Sequence, residues 1–221
     1  MTTSKKTQVL LVDDHEVVRY GLRALVAASA DYNVCGEAAN GRDAVALAEV
    51  LRPDIVVMDI GMPILNGFEA TRQVLINQPK TQVLVLSMHQ SDQLVREVIE
   101  AGARGYVLKS DAARDLMLAL DALRSNQTFF TSRVANLIER SYEFVADPHA
   151  GGRKGGGNLT RRERETLQLV AEGNSNKGVA QALSISVKTA EIHRAKVMSK
   201  LKMDSVADLV RYAIRNDIIE P

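Results

Sequence analysis

The feature that most constrains this chain is a short apolar run that ends on a single carboxylate. Residues 55–58 (IVVM) are all apolar and Asp59 follows them directly. Because Pro53 precedes the run and Gly61 and Pro63 follow it, the pattern predicts a fully buried strand. Strands buried on both faces belong to parallel sheets covered by helices, and such sheets bind ligands at the carboxyl ends of their strands. Asp59 is therefore predicted to lie at a ligand-binding edge, unless it only caps a loop.

The first half of the chain alternates between two hydrophobic patterns. Apolar runs predict four further strands, and the segments between them carry apolar residues at helical spacing; the strands are expected at residues 8–12, 32–38, 82–87 and 105–108. Five strands alternating with five helices predict an α/β flavodoxin-like fold, a parallel sheet in the order 2-1-3-4-5 with right-handed crossovers. In that order the first and third strands are neighbours.

Polar side chains follow the ends of four predicted strands, and they converge on one crevice: Asp13 and Asp14, Asp59, Ser87, and Lys109. Three clustered carboxylates repel one another unless a cation neutralises them. With no His, Cys or Glu expected in the cluster, hard oxygen ligands favour Mg²⁺ over zinc. A carboxylate facing a divalent cation, an ammonium and a hydroxyl is arranged to accept a phosphoryl group. The sequence contains neither GxxxxGK[ST] nor GxGxxG, so the phosphoryl donor is expected to be another protein.

Residues 8–124 resemble a two-component receiver domain. The resemblance is carried by the acidic pair Asp13-Asp14, the segment DIGMP that begins at Asp59, and Gly67, Ser87, Tyr106 and Lys109. It implies that a sensor histidine kinase phosphorylates Asp59, and that Mg²⁺ is held by Asp13, Asp14, Asp59 and the backbone carbonyl of Gly61.

The same resemblance implies roles for three more residues. Ser87 and Lys109 would bind the phosphoryl oxygens, and Tyr106 would be the aromatic switch that turns inward on activation. From its position in a strand alone, Tyr106 is expected to be a half-buried sheet residue.

Charge divides the chain into an acidic part and a basic part. Residues 1–152 carry 15 Lys/Arg and 19 Asp/Glu, a net charge of −4, whereas residues 153–221 carry 13 and 8, a net charge of +5. This asymmetry predicts that only the second part meets a polyanion. Its helical patterns describe two short helices, a tight turn at residues 184–186 and a longer basic helix, which is a helix-turn-helix. The outer side of the longer helix would lie in a DNA major groove, unless it is only a solvated charged face.

Residues 159–216 resemble the LuxR-type helix-turn-helix of the NarL/FixJ response regulators, chiefly through the stretch LTRRERETLQLVAEGNSNKGVAQALSISVKTAEIHRAKVMSKL. The resemblance implies phosphate contacts from Lys177, Lys188 and Thr189, and base-reading positions at Glu191, Ile192 and Ala195. Lys196 lies on the same outer side of the helix. The sequence departs from the family at Gly178, usually Glu, and at Ala190, usually Val. The last helix either forms a dimer patch on DNA or contributes core residues, through Val206, Leu209, Val210 and Ala213.

These features predict three segments: a receiver at 1–125, a connecting helix with a Gly-rich linker at 126–157, and a helix-turn-helix DNA-binding domain at 158–221. We expect a transcription regulator rather than an enzyme. Phosphorylation of Asp59 would shift dimerisation and the binding of double-stranded DNA at promoter half-sites, with a homodimer forming when the chain is phosphorylated.

Three other functions compete with this interpretation. The receiver could be a constitutive dimerisation module, Asp59 could serve a phosphatase or phosphotransferase, or the chain could be a ligand-sensing regulator of the quorum-sensing kind. The last would need an aromatic-rich pocket, and aromatic residues make up only 4% of the chain. The single Cys35 allows no intrachain disulfide, no apolar run approaches the ~20 residues of a membrane span, and no signal peptide is visible, so a cytoplasmic location without membrane contact is expected.

Overall fold

A computed structural model of the chain describes residues 6–88, 92–130, 159–216 and 218–219. In the first unit, strands and helices alternate as predicted: β1 (Thr7–Val12), α1 (Glu16–Ala27), β2 (Tyr32–Ala38), α2 (Gly41–Leu51), β3 (Ile55–Asp59), α3 (Gly67–Asn77), β4 (Gln82–Ser87), α4 (Asp92–Glu100), β5 (Gly105–Leu108) and α5 (Ala112–Arg124). The sheet is parallel and its order is β2-β1-β3-β4-β5. The predicted flavodoxin-like fold is confirmed.

The central strand β3 brings the acidic groups together. All five of its residues are buried, and it pairs with β1 on one side and β4 on the other. Alternate side chains enter two hydrophobic cores, Val56 and Met58 on one face of the sheet and Ile55 and Val57 on the other. Because Val12 is paired with Met58, the next residues, Asp13 and Asp59, lie at the same edge of the sheet.

The second unit contains four helices within residues 159–216: α6 (Arg161–Ala171), α7 (Asn176–Leu183), α8 (Val187–Leu201) and α9 (Val206–Arg215). Each begins after a hydroxyl side chain that accepts a hydrogen bond from a first-turn backbone amide, namely Thr160, Ser175, Ser186 and Ser205. Thr160 and Glu163 form a capping box. The turn between α7 and α8 bends at Ser184, whose φ of 53° is left-handed. The predicted all-α helix-turn-helix unit is confirmed.

The four apolar residues of the last helix, for which a dimer patch and a core position were both possible, divide between these two roles. Leu209 and Ala213 are buried in the core of the second unit, whereas Val206 is 38% exposed and Val210 is half-buried. Only the second pair is available to a partner.

Most of the predicted connecting segment, residues 131–157, lies outside the described residues. Where the chain is described, Phe129 runs parallel to β5, and its carbonyl accepts a hydrogen bond from the Tyr106 amide at 2.9 Å. A short 3₁₀ turn, Lys109–Asp111, joins β5 to α5. No helix within the described residues is long and apolar enough to cross a membrane.

Candidate functional site

The carboxyl edge of the sheet holds two buried carboxylates and one ammonium group. Lys109 Nζ lies 2.8 Å from Asp13 Oδ2 and 2.9 Å from Asp59 Oδ2. Asp13 is fully buried and Asp59 is 2% exposed. The backbone amide of Ile60 donates a hydrogen bond to Asp59 Oδ1 at 2.8 Å, so the carboxylate is held at both oxygens. These groups come from three strand ends because the sheet is parallel and β1 and β3 are adjacent.

The environment makes ionised Asp59 unfavourable. Burial raises the pKa of Asp59 from 3.8 to about 6, and the nearby Asp13 carboxylate adds to the shift, while Lys109 and the Ile60 amide oppose it. For Lys109, burial alone would lower the pKa, but the two carboxylates outweigh burial and raise it. One lysine thus faces more negative charge than it neutralises.

A divalent cation would neutralise this excess negative charge. Asp13, Asp14, His15 and Asp59 each offer a ligand atom, and these atoms lie within 4.8 Å of one another. Three of the four groups are carboxylates, the hard oxygen ligands that Mg²⁺ prefers. The expectation that the cluster contains no histidine was wrong. His15 Nδ1 lies 2.8 Å from Asp14 Oδ1, although the ring is 55% exposed. Its position next to Asp14 was the available signal, but helical periodicity placed it only at the start of α1.

The other predicted receiver residues lie on β4, on β5 and between β3 and the start of α3. Ser87 ends β4 and is 4% exposed. Tyr106 is 1% exposed, so it is fully buried rather than half-buried, and its ring already lies inside the receiver in this structure. Gly61 is half-buried in the loop that follows β3. Gly67 packs so closely that a Cβ there would lie 1.9 Å from the Asp59 carbonyl oxygen, which fixes the start of α3 against the end of β3.

In the second unit, α8 presents an open outer face. Lys188, Glu191, Ile192, Ala195 and Lys196 are all exposed on this helix, and Lys177 is exposed on α7. Thr189 differs from them, because its amide and hydroxyl are both within hydrogen-bonding distance of Ser186 Oγ, at 3.1 Å and 2.8 Å.

One exposed apolar residue of α8 was missed by sequence reasoning. Val187 is 43% exposed at the start of α8, and Ile192 is 48% exposed. Exposed apolar side chains on a groove-binding helix can contact thymine methyl groups. Ile192 lies on the side opposite Ala190 and Val197, which are buried, whereas Val187 is exposed at the first position of the helix.

Comparison with known proteins agrees with both units. Residues 9–121 match the family described as response regulator receiver domain, and residues 157–213 match the luxR family of bacterial regulatory proteins. The chain is 36% identical over 215 residues to the transcriptional regulatory protein LiaR of Bacillus subtilis, covering 96% of this chain and 99% of LiaR. It is 33% identical over 213 residues to the response regulator protein VraR of Staphylococcus aureus, with coverage of 96% and 99%.

A solved structure of a response regulator matches this chain over nearly its full length. RcsB from Salmonella enterica serovar Typhimurium, bound to the promoter rprA in the presence of the phosphomimetic BeF₃⁻, superposes with a TM-score of 0.62 at 27% identity. The match covers 94% of this chain and 98% of RcsB.

Fold, acidic site and helix-turn-helix together define a phosphorylation-type receiver joined to a DNA-binding unit. The chain belongs to the two-component response regulators of the NarL/FixJ type, which have a receiver domain and a LuxR-type helix-turn-helix. It is a DNA-binding regulator of transcription, as the sequence predicted.

Proposed function

We propose that Asp59 is the phosphoacceptor and that a sensor histidine kinase is its donor. The observation that carries this proposal is the contact of Lys109 Nζ with Asp59 Oδ2 at 2.9 Å in a buried site that also contains the Asp13 carboxylate. A purely structural module gains nothing from burying two carboxylates that raise each other's free energy. A phosphoacceptor needs them.

In the transfer, an oxygen of ionised Asp59 attacks phosphorus, the bond from phosphorus to the kinase histidine breaks, and the imidazole leaves with the electron pair of that bond. With a pKa of about 6, Asp59 is mostly ionised at neutral pH and therefore nucleophilic. The Lys109 ammonium can then shift its contact from Asp59 Oδ2 to a phosphoryl oxygen, and the Ser87 hydroxyl can donate to another. Both groups stabilise the negative charge of the transferred group.

We further propose that Asp13, Asp14, Asp59 and the Gly61 carbonyl hold Mg²⁺, which would offset charge on the phosphoryl oxygens. The oxygen-rich set and its excess negative charge support this ion. Tyr106 is proposed as the aromatic switch, because it lies buried on β5 three residues before Lys109.

For DNA binding, we propose that α8 lies in the major groove. Lys177, Lys188 and Thr189 would contact phosphates, whereas Glu191, Ile192 and Ala195 would face base edges. Lys196 would add positive charge on the same side. Solved RcsB structures contain dimers on DNA and a promoter complex, which supports binding of this chain as a homodimer to paired half-sites.

The remaining proposals concern organisation. We propose a receiver over residues 1–125, a connecting segment over 126–157 and a DNA-binding domain over 158–221. Phosphorylation would shift the population towards an active state that releases the DNA-binding domain and favours the dimer. The chain would act as a switch without substrate turnover, in the cytoplasm, where it meets both its kinase and DNA.

The test is sedimentation velocity of the full chain with Mg²⁺, before and after addition of acetyl phosphate, with Asp59→Asn as the matched control. Intact mass measures phosphoryl incorporation in the same samples. We expect incorporation and conversion of monomer to dimer in the wild type only. A dimer that is unchanged in every sample would instead favour the constitutive module, and incorporation that persists in Asp59→Asn would exclude Asp59 as the acceptor.

A further inference from the structure

The loop between Asp59 and α3 is bonded to the DNA-binding domain. Gln168, in the middle of α6, makes two hydrogen bonds to backbone groups of this loop. Its Oε1 accepts from the Asn66 amide at 2.8 Å, and its Nε2 donates to the Met62 carbonyl at 2.9 Å. Gln168 is 1% exposed, so neither bond is shared with bulk water. One side chain of the second unit thereby pairs a donor and an acceptor of the loop that carries Gly61.

The bonded loop is tightly folded and includes a strained residue. The Gly67 and Met62 amides both donate to the Ile60 carbonyl at 3.0 Å. Ile64 has a φ of 71°, a left-handed conformation that is a genuine outlier for a β-branched residue. Its amide donates to Glu172 Oε1, also in the second unit, at 3.2 Å. Because such strain persists only where the surroundings enforce it, contacts from the second unit help to hold the loop in this arrangement.

Further polar pairs extend the contact along α3. Arg164 Nε donates to Glu69 Oε2 at 2.8 Å, and Gln73 joins two residues of α6, with Arg161 Nη2 at 2.6 Å from its Oε1 and Glu165 Oε1 at 3.2 Å from its Nε2. The docked arrangement leaves the outer face of α8 open, since Lys188 and Ile192 remain exposed. Docking therefore does not cover the DNA-binding surface, and the contact nearest to Asp59 is the one with the loop.

The loop also adjoins the atoms that change on phosphorylation. Asp59 is at present satisfied by the Ile60 amide and by Lys109. A phosphoryl group would compete for Lys109 and place new charge beside residues 60 and 61, so this backbone would have to readjust. Gln168 restrains that readjustment at two points of the loop, at Met62 and at Asn66, the residue before α3.

We propose that Gln168 is a positioning residue for the phosphoacceptor loop, and that the docked DNA-binding domain opposes phosphorylation through it. The inference rests on the proposed role of Asp59. Coupling between two binding equilibria is reciprocal, so a phosphoryl group on Asp59 weakens docking by the same factor by which docking weakens its binding.

Equilibrium binding of beryllofluoride, a phosphoryl mimic, tests the coupling in the full chain. Fluorine NMR of the bound mimic in Mg²⁺ measures its apparent midpoint in the wild type, in Gln168→Met and in Gln181→Met. Gln168→Met keeps the side-chain length and removes both hydrogen bonds, whereas Gln181 is exposed on α7 and is the matched control. We expect Gln168→Met to lower the midpoint about fivefold or more, the usual lower range of allosteric coupling, and Gln181→Met to leave it unchanged.

Hydrogen exchange gives the reciprocal measurement. Saturating beryllofluoride should speed exchange at the Asn66 amide of the wild type, because its acceptor on Gln168 is withdrawn. Should Gln168→Met fail to fold, Arg164→Ala loosens the same docking contact outside the loop and should lower the midpoint in the same direction.

The outcomes separate this inference from the function on which it rests. Equal midpoints for the wild type and the interface variants would overturn the positioning role, and higher midpoints in the variants would overturn its direction. If the wild type binds no beryllofluoride in Mg²⁺, it is the proposed role of Asp59 that fails.

Discussion

Ionised Asp59 is expected to destabilise the metal-free receiver at neutral pH, so Asp59→Asn should make the protein more stable. The carboxyl group is 2% exposed, and burial followed by the Asp13 carboxylate raises its pKa from 3.8 to about 6. Replacement by Asn removes the buried charge and keeps the shape of the side chain. Lys109 is not orphaned by this change, because its ammonium retains Asp13 at 2.8 Å.

The sign of the pH dependence follows from proton linkage. A carboxyl group whose pKa is higher in the folded state binds its proton more tightly there, so it adds stability at low pH and loses it as pH rises through the folded pKa. The shift of Asp59 corresponds to a full difference of roughly 3 kcal/mol, of which about 1–2 kcal/mol is recovered when pH falls from about 7.5 to about 5. Asp59→Asn has no such titration.

Urea unfolding followed by circular dichroism, in EDTA, measures this difference. The second unit is common to both proteins, so its contribution cancels when the variant is compared with the wild type at each pH. We expect Asp59→Asn to be more stable by about 1–3 kcal/mol at neutral pH, with an advantage that shrinks towards pH about 5. Saturating Mg²⁺ should also reduce the advantage, since the ion stabilises the state that binds it. An advantage independent of pH, or a variant less stable than the wild type at neutral pH, would refute the electrostatic account of the site.

Two further predictions concern the second unit. Gly178→Ala should raise the free energy of unfolding by about 0.5–1 kcal/mol, because glycine disfavours a helix. The three atoms nearest a new Cβ all belong to Asn174, with Oδ1 at 3.1 Å, and Asn174 also donates to the Leu169 carbonyl at 3.0 Å. Thermal unfolding measures the change, and a loss of stability would show that this hydrogen bond keeps Asn174 from shifting. Lys188→Ala should weaken DNA binding to all sequences alike and reduce the slope of log affinity against log salt by about one. Anisotropy titrations over a range of salt concentrations measure the slope, with Lys80→Ala in the receiver as control, and an unchanged slope would exclude Lys188 as a phosphate contact.

The fold could be predicted because each strand and helix is determined by a local sequence pattern. The buried run of β3 and the caps at Thr160, Ser175 and Ser186 are decided by residues within one or two turns of the element. Alternation of strands and helices then leaves few topologies. The boundaries of the four strands predicted at 8–12, 32–38, 82–87 and 105–108 lie within about two residues of those expected, the usual uncertainty of element ends.

The site was predictable to the extent that strand ends determine it. Asp13 and Lys109 follow β1 and β5, and Asp59 ends β3, so a parallel sheet brings them to one edge. His15 was missed because its contact with Asp14 depends on how the chain turns into α1, which hydrophobic periodicity does not encode. The burial of Tyr106 depends likewise on a residue beyond α5, because Phe130 packs against the core that contains Tyr106.

Docking of the two units could not be predicted from the sequence. On periodicity, Glu165 and Gln168 read as the solvated side of α6, yet both are 1% exposed because α3 covers them. When two polar surfaces that are distant in sequence pair with each other, the sequence shows no hydrophobic periodicity, apolar run or capping residue that would indicate the contact. Hydrophobic patterns identify apolar faces, which are buried because they avoid water. The face of α6 that contacts α3 is polar, so these patterns do not identify it.

The polarity of the contact between α3 and α6 also allows the contact to open and close. The desolvation of charged groups such as Arg164 and Glu69 offsets much of what their hydrogen bond contributes, so a contact of this kind adds little net stability. Polar interfaces between domains of one chain accordingly permit relative motion by default. A ligand can shift an equilibrium only by its difference in affinity for the two states. The coupling of roughly 1–3 kcal/mol that allosteric ligands supply could open such a contact, but not an apolar one of the same size.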